Sequence, residues 1–344
     1  MFLPFSAEIT EDSVSVRAYD PTIHELCTDA LGGFKAALNF FDRWLFAFTA
    51  LISLEILFAL GLATSPLLLG ICLSTVFISI FVFYVLIRFF EEKKADKLQA
   101  GLLEYSRMLN ETFSEIEKGD AQKKLLCYGH IKLCDSLEDF EKGFLLQKHL
   151  PKGLMPTLSK WSIGVHAPDV LALRLALLEE AALGLIEIIQ KIPLDLELHS
   201  RLSQLYLKRA QLIQKRIEQK ENIGISMFGW TTLDLDEMYT QSLKHALQEL
   251  AIVESLDPAS LWVHVQMIEC YGALGEEEMQ IEKASHVLKL GESSPTALLS
   301  IGQLYFRKGL HKEGLSIYEK LLQIDPSKAQ ELIQEYSTPL TNAL

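Results

Sequence analysis

Hydrophobic and polar residues are unevenly distributed along this chain of 344 residues. The run from Trp44 to Phe90 contains only two charged side chains, Glu55 and Arg88. A helix that spans a membrane needs about 20 apolar residues, so this run suits two spans and is too long for one. The alternative is a buried helical hairpin in a soluble core, but no other segment is apolar enough to enclose such a hairpin.

The connection between the two predicted spans falls at residues 63–66. Pro66 disfavours helical backbone at Ser65 and is well suited to begin the next helix. We therefore predict helices over residues 44–63 and 66–88, joined by a tight turn.

Basic residues flank the outer ends of this hairpin and are absent from its turn. They are Arg43 before the first span, and Arg88, Lys93, Lys94 and Lys97 at or after the end of the second. Lys and Arg accumulate on the cytoplasmic side of membrane proteins. The pattern predicts a two-pass integral membrane protein with both termini in the cytosol, and it leaves open which membrane this is.

After Phe90 the composition changes to a charged segment, EEKKADK, and then to helical patterns up to the C-terminus. No alternation of apolar and polar residues persists, so we predict an all-α fold without a sheet. The expected helix breaks are at residues 118–120, 151–153 and 164–168 and at Pro193.

Residues 1–20 are predicted to be a mobile tail, with Pro21 opening a helix that lies near the membrane up to Asp42. Four segments follow from these boundaries: a tail and juxtamembrane helix (1–43), a transmembrane hairpin (44–90), a helical region (91–168) and a helical repeat domain (169–344).

Several features of the C-terminal half recur at an interval of 34 residues or twice that interval. The pairs are Tyr271 and Tyr305, Gly275 and Gly309, and Pro258 and Pro326, each proline following an aspartate. A fixed period of this length is typical of helical repeat proteins, in which each unit buries its apolar face only by stacking on its neighbours.

Residues 295–328 resemble the tetratricopeptide repeat family. The residues that carry this resemblance are Leu298, Ile301, Gly302, Tyr305, Gly309, Gly314, Tyr318, Leu321 and Pro326. The resemblance implies that Gly302 and Gly314 lie where the two helices of the unit cross, that Gly309 serves the turn between them, and that Pro326 ends the second helix.

Two further stretches resemble the same family. Residues 261–294 keep Tyr271 and Gly275, and an earlier unit is divided by an insertion from about Gln211 to Asp234. Upstream, Ala181, Leu185, Ile188 and Pro193 resemble the second helix of another unit. Residues 329–336 are expected to cap the last helical hairpin.

The family resemblance implies a stacked superhelix with a groove that binds peptides or helices. Groove-facing side chains would come from the first helix of each unit, at His264, Glu269, Leu298, Leu299, Gln303 and Arg307, of which Leu298 best suits the core. Met227, Phe228 and Trp230 in the insertion form a second candidate contact surface. An equally acceptable reading is that these three fold back onto the repeat.

Glu55 lies in the middle of the first predicted span, where an ionisable residue suggests a function by default. A hairpin folded about Ser65 brings Glu55 level with Ser74 and Thr75. Hydrogen bonds from those hydroxyls would give Glu55 a structural role in helix pairing. Ion transport is the alternative, and with two spans and one acidic side chain it would need an oligomer.

The sequence contains no constellation that predicts catalysis or a cofactor. It has no glycine-rich phosphate loop and no H-E-x-x-H or G-x-S-x-G motif. The five cysteines are widely spaced and fit neither a disulfide framework nor a zinc site. A net charge of -13 disfavours nucleic acid as a partner and gives no general attraction to anionic lipids.

These features predict a non-enzymatic, membrane-anchored adaptor that needs no cofactor and binds a protein or peptide on the cytosolic side. The paired spans with a small turn also resemble the bilobed hydrophobic segment of chlamydial inclusion membrane proteins. That resemblance implies an alternative, a secreted bacterial effector in a host-derived membrane. A third possibility is an oligomeric channel or membrane-shaping protein built on the hairpin, and the oligomeric state is left open.

Overall fold

The computed structural model describes residues 14–61, 66–114, 119–138, 140, 155–222, 234–289 and 294–341. Within these ranges the chain is all-α, with eleven helices and no strand. The helices are α1 (Val14–Gly61), α2 (Pro66–Ser114), α3 (Asp120–Ser136), α4 (Met155–Ile189), α5 (Leu196–Asn222), α6 (Leu235–Leu256), α7 (Leu261–Leu274), α8 (Glu277–Lys289), α9 (Pro295–Arg307), α10 (His311–Ile324) and α11 (Pro326–Thr341).

The chain divides into two compact units. Among the described residues, the N-terminal unit contains those of 14–188 together with 218–222, and the C-terminal unit contains those of 189–217 and 234–341. Consequently α4, which the sequence suggested as the second helix of an early repeat, lies in the N-terminal unit up to Ile188.

In the N-terminal unit, α1 and α2 form an antiparallel pair that is much longer than the two predicted spans. The apolar segments are the adjoining parts of two continuous helices of 48 and 49 residues. Nothing at residues 43–44 or 90–91 breaks a helix, and the Glu, Lys and Ala that follow Phe90 are good helix formers. The helices therefore continue through the change in composition.

Two of the expected helix boundaries are wrong, because both prolines concerned lie inside helices. Helix α1 begins at Val14 and includes Pro21, so residues 14–20 do not belong to a tail as predicted, and residues 1–13 lie outside the described residues. Tertiary contacts hold this first part of α1: the Tyr19 ring packs edge-on against Phe113, and Asp20 accepts a hydrogen bond of 2.9 Å from the Tyr128 hydroxyl.

The break expected at residues 164–168 is also absent, since α4 runs through Pro168. Side chains on either side of this proline are tied to the hairpin helices. His166 is paired with Asp42 at 2.7 Å, and Asp169 forms an ion pair of 2.5 Å with Lys94. These contacts offset the backbone hydrogen bond that a proline removes.

Below the apolar hairpin, α1 and α2 pack with α3 and α4 around a core. Fully buried residues on α1 and α2 include Phe34, Leu109 and Phe113. The Tyr105 hydroxyl donates a hydrogen bond of 2.8 Å to the carbonyl of Gly129, which joins α2 to α3. On the other side of α3, the Cys127 thiol donates to the carbonyl of Ala181 at 3.3 Å.

His130 on α3 makes this core sensitive to acid. It is 7% exposed, and burial lowers the pKa of its imidazole to about 4 from an ordinary 6.5. Between these pH values the unfolded chain binds more protons than the folded one, so stability is present above pH 6.5 and is lost as the pH falls towards 4.

We expect the N-terminal unit of the His130→Gln variant to lose less stability than the wild type between pH 6.5 and pH 4. Gln does not titrate, and its amide can replace the hydrogen bond of 3.1 Å between the imidazole Nε2 and the Ser106 hydroxyl. Hydrogen exchange of the α3 amides in the reconstituted full chain, at a series of pH values, measures the difference. Parallel pH profiles for both proteins would contradict the assignment.

In the C-terminal unit, successive helices pack into two apolar clusters. The first joins α5, α6 and α7 through Leu207, Ala210, Leu243, Ala246, Leu250, Val253, Val263, Met267 and Cys270. The second joins the helices from α7 to α11, and at its centre lie Ile301, Leu304, Ile317, Leu321 and Leu332. Helix α11 therefore covers the last helical pair, in agreement with the expected cap.

The turn between the two helices has the same geometry in both C-terminal repeats. Gly275 and Gly309 follow the first helix with φ angles of 77° and 73°, a left-handed conformation that favours glycine. In each case the residue after this glycine donates a backbone hydrogen bond to the tyrosine five positions earlier. The distances are 2.9 Å to Tyr271 and 2.8 Å to Tyr305. These repeated turns are tetratricopeptide-like, and the period of 34 residues is a structural period.

Two details of the repeat differ from expectation. Pro326 does not end α10, which stops at Ile324, but begins α11, with the Asp325 carboxylate accepting from the backbone N–H of Ser327 at 3.1 Å. The insertion expected from Gln211 begins later, because α5 continues to Asn222. The segment from Gln211 to Asn222 is rich in Gln, Lys and Glu and has no helix breaker.

Candidate functional site

The apolar parts of α1 and α2, residues 51–61 and 67–89, expose apolar side chains on nearly all sides. Both helices are long and apolar enough to cross a membrane. Within the described residues between 51 and 89, only Ala59 and Val76 are buried hydrophobics. Large side chains such as Leu60, Leu67 and Phe77 are at least two-thirds exposed. In the most apolar 18-residue stretch of each helix, only 6% of the residues are buried, whereas a core helix of a soluble protein would be mostly buried.

A cluster of aromatic rings, here called the collar, lies at the base of this apolar hairpin. Trp44 stacks on Phe90 with ring centroids 5.4 Å apart, and Phe48 and Phe40 lie on either side of Trp44 along α1. Lys97 places its ammonium group 4.3 Å from the centroid of the Phe40 ring. Aromatic belts with adjacent basic residues are typical of the boundary between a bilayer and water.

Glu55 pairs with a different residue from the two predicted. Its carboxylate accepts a hydrogen bond of 3.0 Å from Ser79, whereas Ser74 and Thr75 donate to the carbonyls of Gly70 and Cys72 on their own helix. The prediction placed the midpoint of the hairpin at Ser65, and the real pairing is shifted by about one helical turn. Glu55 and Ser79 join the two helices of one chain.

The residues proposed for the groove occupy different environments in the C-terminal unit. His264 and Leu299 are buried, at 0% and 8% exposure, and Leu298 lies in the core as expected. Glu269 and Gln303 are half-buried, and Arg307 is exposed. Met227, Phe228 and Trp230 fall outside the described residues.

Trp262 is a groove candidate that the sequence reading missed. It is 37% exposed near the start of α7, and it shares one face of that helix with Glu269, seven residues later. On α9, the residues 34 positions later are Thr296 and Gln303, and Arg307 continues the same stripe. The sequence contains a signal for this residue, because Trp262 lies 34 positions before Thr296 and therefore occupies the same position in the repeat.

His264 has a structural role that recurs in the chain. Its Nε2 donates to the carbonyl of Pro258 at 2.9 Å, and its Nδ1 lies 3.4 Å from the carboxylate of Glu254. His199 repeats this arrangement, with Nε2 3.1 Å from the carbonyl of Pro193 and Nδ1 2.6 Å from Glu249. Each histidine follows its proline by six residues, so the spacing was visible in the sequence. The two rings fix the loops that lead into α5 and α7.

The described residues contain no group of three side chains placed to hold a metal ion. Four of the five cysteines are buried free thiols, and Cys72 is half-buried. Burial raises the pKa of the Cys270 thiol to about 12, so it is a packing residue at neutral pH.

The sequence matches no family model and no curated protein. Solved structures with a similar arrangement of helices include TTC0263, a tetratricopeptide repeat protein of Thermus thermophilus. It is 21% identical, with a TM-score of 0.28, over 52% of this chain and 95% of that protein. The C-terminal part of a tetratricopeptide repeat-containing protein from Cytophaga hutchinsonii is 12% identical, with a TM-score of 0.25, over 70% and 98% of the two chains.

A third similar structure is the RpL4 assembly chaperone Acl4, which is 13% identical with a TM-score of 0.30 over 73% of this chain and 95% of that one. The repeated turns at Gly275 and Gly309 define the class of protein: an all-α chain whose C-terminal unit carries tetratricopeptide-like repeats.

Proposed function

We propose that this chain is a non-enzymatic adaptor, held in a membrane by the hairpin of α1 and α2, whose repeat unit binds a protein or peptide in the cytosol. The observation that carries the proposal is the presence, in one chain, of an uncovered apolar hairpin and a tetratricopeptide-like repeat.

Burial and residue chemistry support membrane anchoring. A row of exposed Leu, Ile and Phe side chains along both helices would be costly in water, at about 25 cal/mol per Å² of apolar surface. The aromatic collar at Trp44 and Phe90 coincides with the ends of the apolar run, and apart from Arg88, two residues before Phe90, the basic residues lie beyond it. The sidedness of these charges favours cytosolic termini.

Surface chemistry supports a protein partner. Trp262 supplies an exposed aromatic side chain, and Arg307 supplies an exposed cation on the equivalent face of the next repeat. Tryptophan and arginine are the residues that most often dominate binding energy at protein interfaces. We propose that the partner is an amphipathic helix or extended peptide with an apolar anchor for Trp262.

The pairing of Glu55 with Ser79 within one hairpin supports a structural role for this carboxylate. An ion path would instead require the Glu55 side chain to face a neighbouring copy or a water-filled cavity. The effector alternative differs only in whose membrane and cytosol are involved, and fractionation of the native cells distinguishes the two.

The first test concerns topology in sealed vesicles. A cysteine placed at Ser65, in the predicted turn, is expected to react with an impermeant maleimide from the side opposite to a cysteine placed at Ser316. Ser316 is exposed on α10, whereas the native Cys270 is fully buried and unsuitable as a reporter.

Wild-type protein, with its buried and intramembrane thiols, is the control for background labelling. Reaction of the Ser65→Cys and Ser316→Cys variants from the same side would refute the two-pass hairpin.

The second test concerns the groove. Replacing Trp262 and Arg307 together with alanine is expected to weaken binding of a cytosolic partner about 30-fold or more, since truncating an anchor residue typically costs at least 2 kcal/mol. The measurement is capture of the same identified partner by full-length protein in vesicles, followed by titration.

The matched control is the Leu315→Ala and Lys312→Ala double variant, which also removes one exposed apolar side chain and one cation, from α10. A parallel variant, Phe228→Ala with Trp230→Ala, tests the insertion. Equal binding by the groove variant and the wild type would exclude Trp262 and Arg307 from the site, and loss in the insertion variant alone would place the contact there.

A further inference from the structure

An open cavity of about 460 Å³ lies along one side of α1, immediately below the aromatic collar. The residues that line it are Gly32, Lys35, Ala36, Asn39, Phe40 and Arg43. They recur at intervals of three and four positions, so they form a single stripe of the helix. Gly32 and Ala36 leave room in this stripe, and a Cβ atom at Gly32 would meet no other atom within 4 Å.

The cavity is positively charged and has no acidic counterpart in its lining. Neither Lys35 nor Arg43 forms an ion pair within the described residues, and both are exposed. Asp42 is next to Arg43 in sequence but is buried and turned towards His166. Lys97 brings a third cation from α2 to Phe40, which lines the cavity. The stripe is therefore a local exception to the acidic character of the chain.

The position of the stripe relative to the hairpin is fixed by helix geometry. Arg43 directly precedes Trp44 in the collar, Asn39 lies about 6 Å further along the axis, and Lys35 about 12 Å further. Each headgroup layer of a bilayer is about 6 Å thick. Arg43 and Asn39 therefore lie at the depth of lipid phosphates, and the Cα–Cβ bond of Arg43 tilts back towards Asn39 because side chains lean towards the N-terminus of a helix.

We propose that this stripe is a binding site for the headgroup of an anionic phospholipid. Arg43 faces the lipid phosphate, Asn39 offers an amide N–H, and Lys35 and Lys97 add positive potential below. The exposed faces of Phe40 and Trp44 contact the upper part of the lipid chains. This proposal rests on the membrane anchoring proposed above, and it explains why unpaired cations gather on one face of α1.

The test uses full-length protein reconstituted in vesicles made of equal parts phosphatidylcholine and phosphatidylglycerol. After gentle extraction, native mass spectrometry measures the ratio of the two lipids that remain bound. We expect phosphatidylglycerol to be enriched on the wild-type chain. The Arg43→Gln variant should lower this enrichment about fivefold, the value expected for one basic residue at an anionic surface.

Lys35→Gln should have a smaller effect than Arg43→Gln, because Lys35 lies about 6 Å beyond Asn39, outside the headgroup layer, and about 12 Å from Arg43, so that screening over a Debye length of about 8 Å weakens its attraction for the headgroup. Lys93→Gln is the matched control: this residue lies within one turn of Phe90 on α2, does not line the cavity, and is paired with Asp96 at 3.4 Å. Its removal should leave the enrichment unchanged.

Absence of enrichment on the wild-type chain, or an equal loss in the Lys93 variant, would overturn the site. Loss of the enrichment on adding inorganic phosphate, at matched ionic strength, would overturn it in favour of a site for free phosphate. Flotation with vesicles of phosphatidylcholine alone tests the membrane anchoring separately from the lipid site. A chain that does not enter these vesicles overturns the anchoring and the lipid site together, whereas a chain that enters them without later enrichment overturns the lipid site only.

Discussion

Replacing Asp42 with alanine is expected to destabilise the N-terminal unit by about 3 kcal/mol, because the buried His166 imidazole loses the carboxylate to which it is hydrogen-bonded. Asp42 and His166 are 5% and 0% exposed, and their side chains meet at 2.7 Å. The alanine variant leaves the His166 imidazole in the core without its carboxylate partner. The Asp42–His166 pair joins α1, just below the collar, to α4.

The matched control removes both polar groups. The Asp42→Leu and His166→Leu double variant is expected to recover most of the lost stability, because replacing both partners by apolar groups of similar volume removes the two buried polar groups together. Both variants are compared with the wild type by hydrogen exchange of the α1 and α4 amides in the reconstituted full chain.

Protection should fall in the single variant around residues 38–42 and 166–170 and return in the double variant. A loss of less than about 1 kcal/mol in the single variant would show that water reaches the pair and that it does not hold α4 to the hairpin. If the double variant is as unstable as the single variant, the loss of stability comes from packing and not from the separation of the two polar groups.

The sequence predicts the hairpin and the repeats well because both depend on local pattern. An apolar run long enough for two spans is read from composition, and the turn at Pro66 from the restrictions that proline imposes. The interval of 34 residues locates the turns at Gly275 and Gly309 because glycine is required there for a positive φ.

Features that depend on contacts between distant residues were predicted poorly. Pro21 and Pro168 lie inside helices because Asp20 and His166 are held by partners more than 100 residues away in the chain. The pairing of Glu55 with Ser79 depends on how two helices slide past each other, which a sequence pattern does not fix. His264 was assigned to the groove because helical periodicity does not reveal that a neighbouring loop carbonyl would bind its ring.

The candidate groove is the least predictable part, since the exposure of a residue depends on what packs over it. Leu299 and Arg307 are on the same helix, yet Leu299 is 8% exposed and Arg307 lies on the surface. The position of Trp262 could be inferred only after the repeat register was applied to α7. A register derived from a strong repeat can thus indicate candidate contact residues in a weaker one.

The Gly302→Leu variant is expected to destabilise the last repeat by about 1–3 kcal/mol, through overpacking where α9, α10 and α11 meet. A Cβ atom at Gly302 would lie 2.7 Å from Leu332 Cδ2 and 3.1 Å from Ile317 Cγ2. Real Cβ atoms essentially never approach other atoms within 3.0 Å, so Leu332 must move even before the rest of the leucine side chain is placed. The better helix propensity of leucine, about 1 kcal/mol relative to glycine, offsets only part of this cost.

The matched control is Ser316→Leu, which adds the same side chain to an exposed position of α10 and should change stability by no more than about 0.5 kcal/mol. Hydrogen exchange of the full-length chain locates the effect: amides of α9, α10 and α11 should lose protection in the Gly302 variant, while those of α1 and α2 keep theirs. Because α11 covers the last helical pair through Leu332, its displacement would expose Ile317 and Leu321 first, so the loss should begin in α11 and α10. Unchanged protection of the α10 and α11 amides would mean that Gly302 does not lie at a tight crossing and that the repeat register places α9 incorrectly.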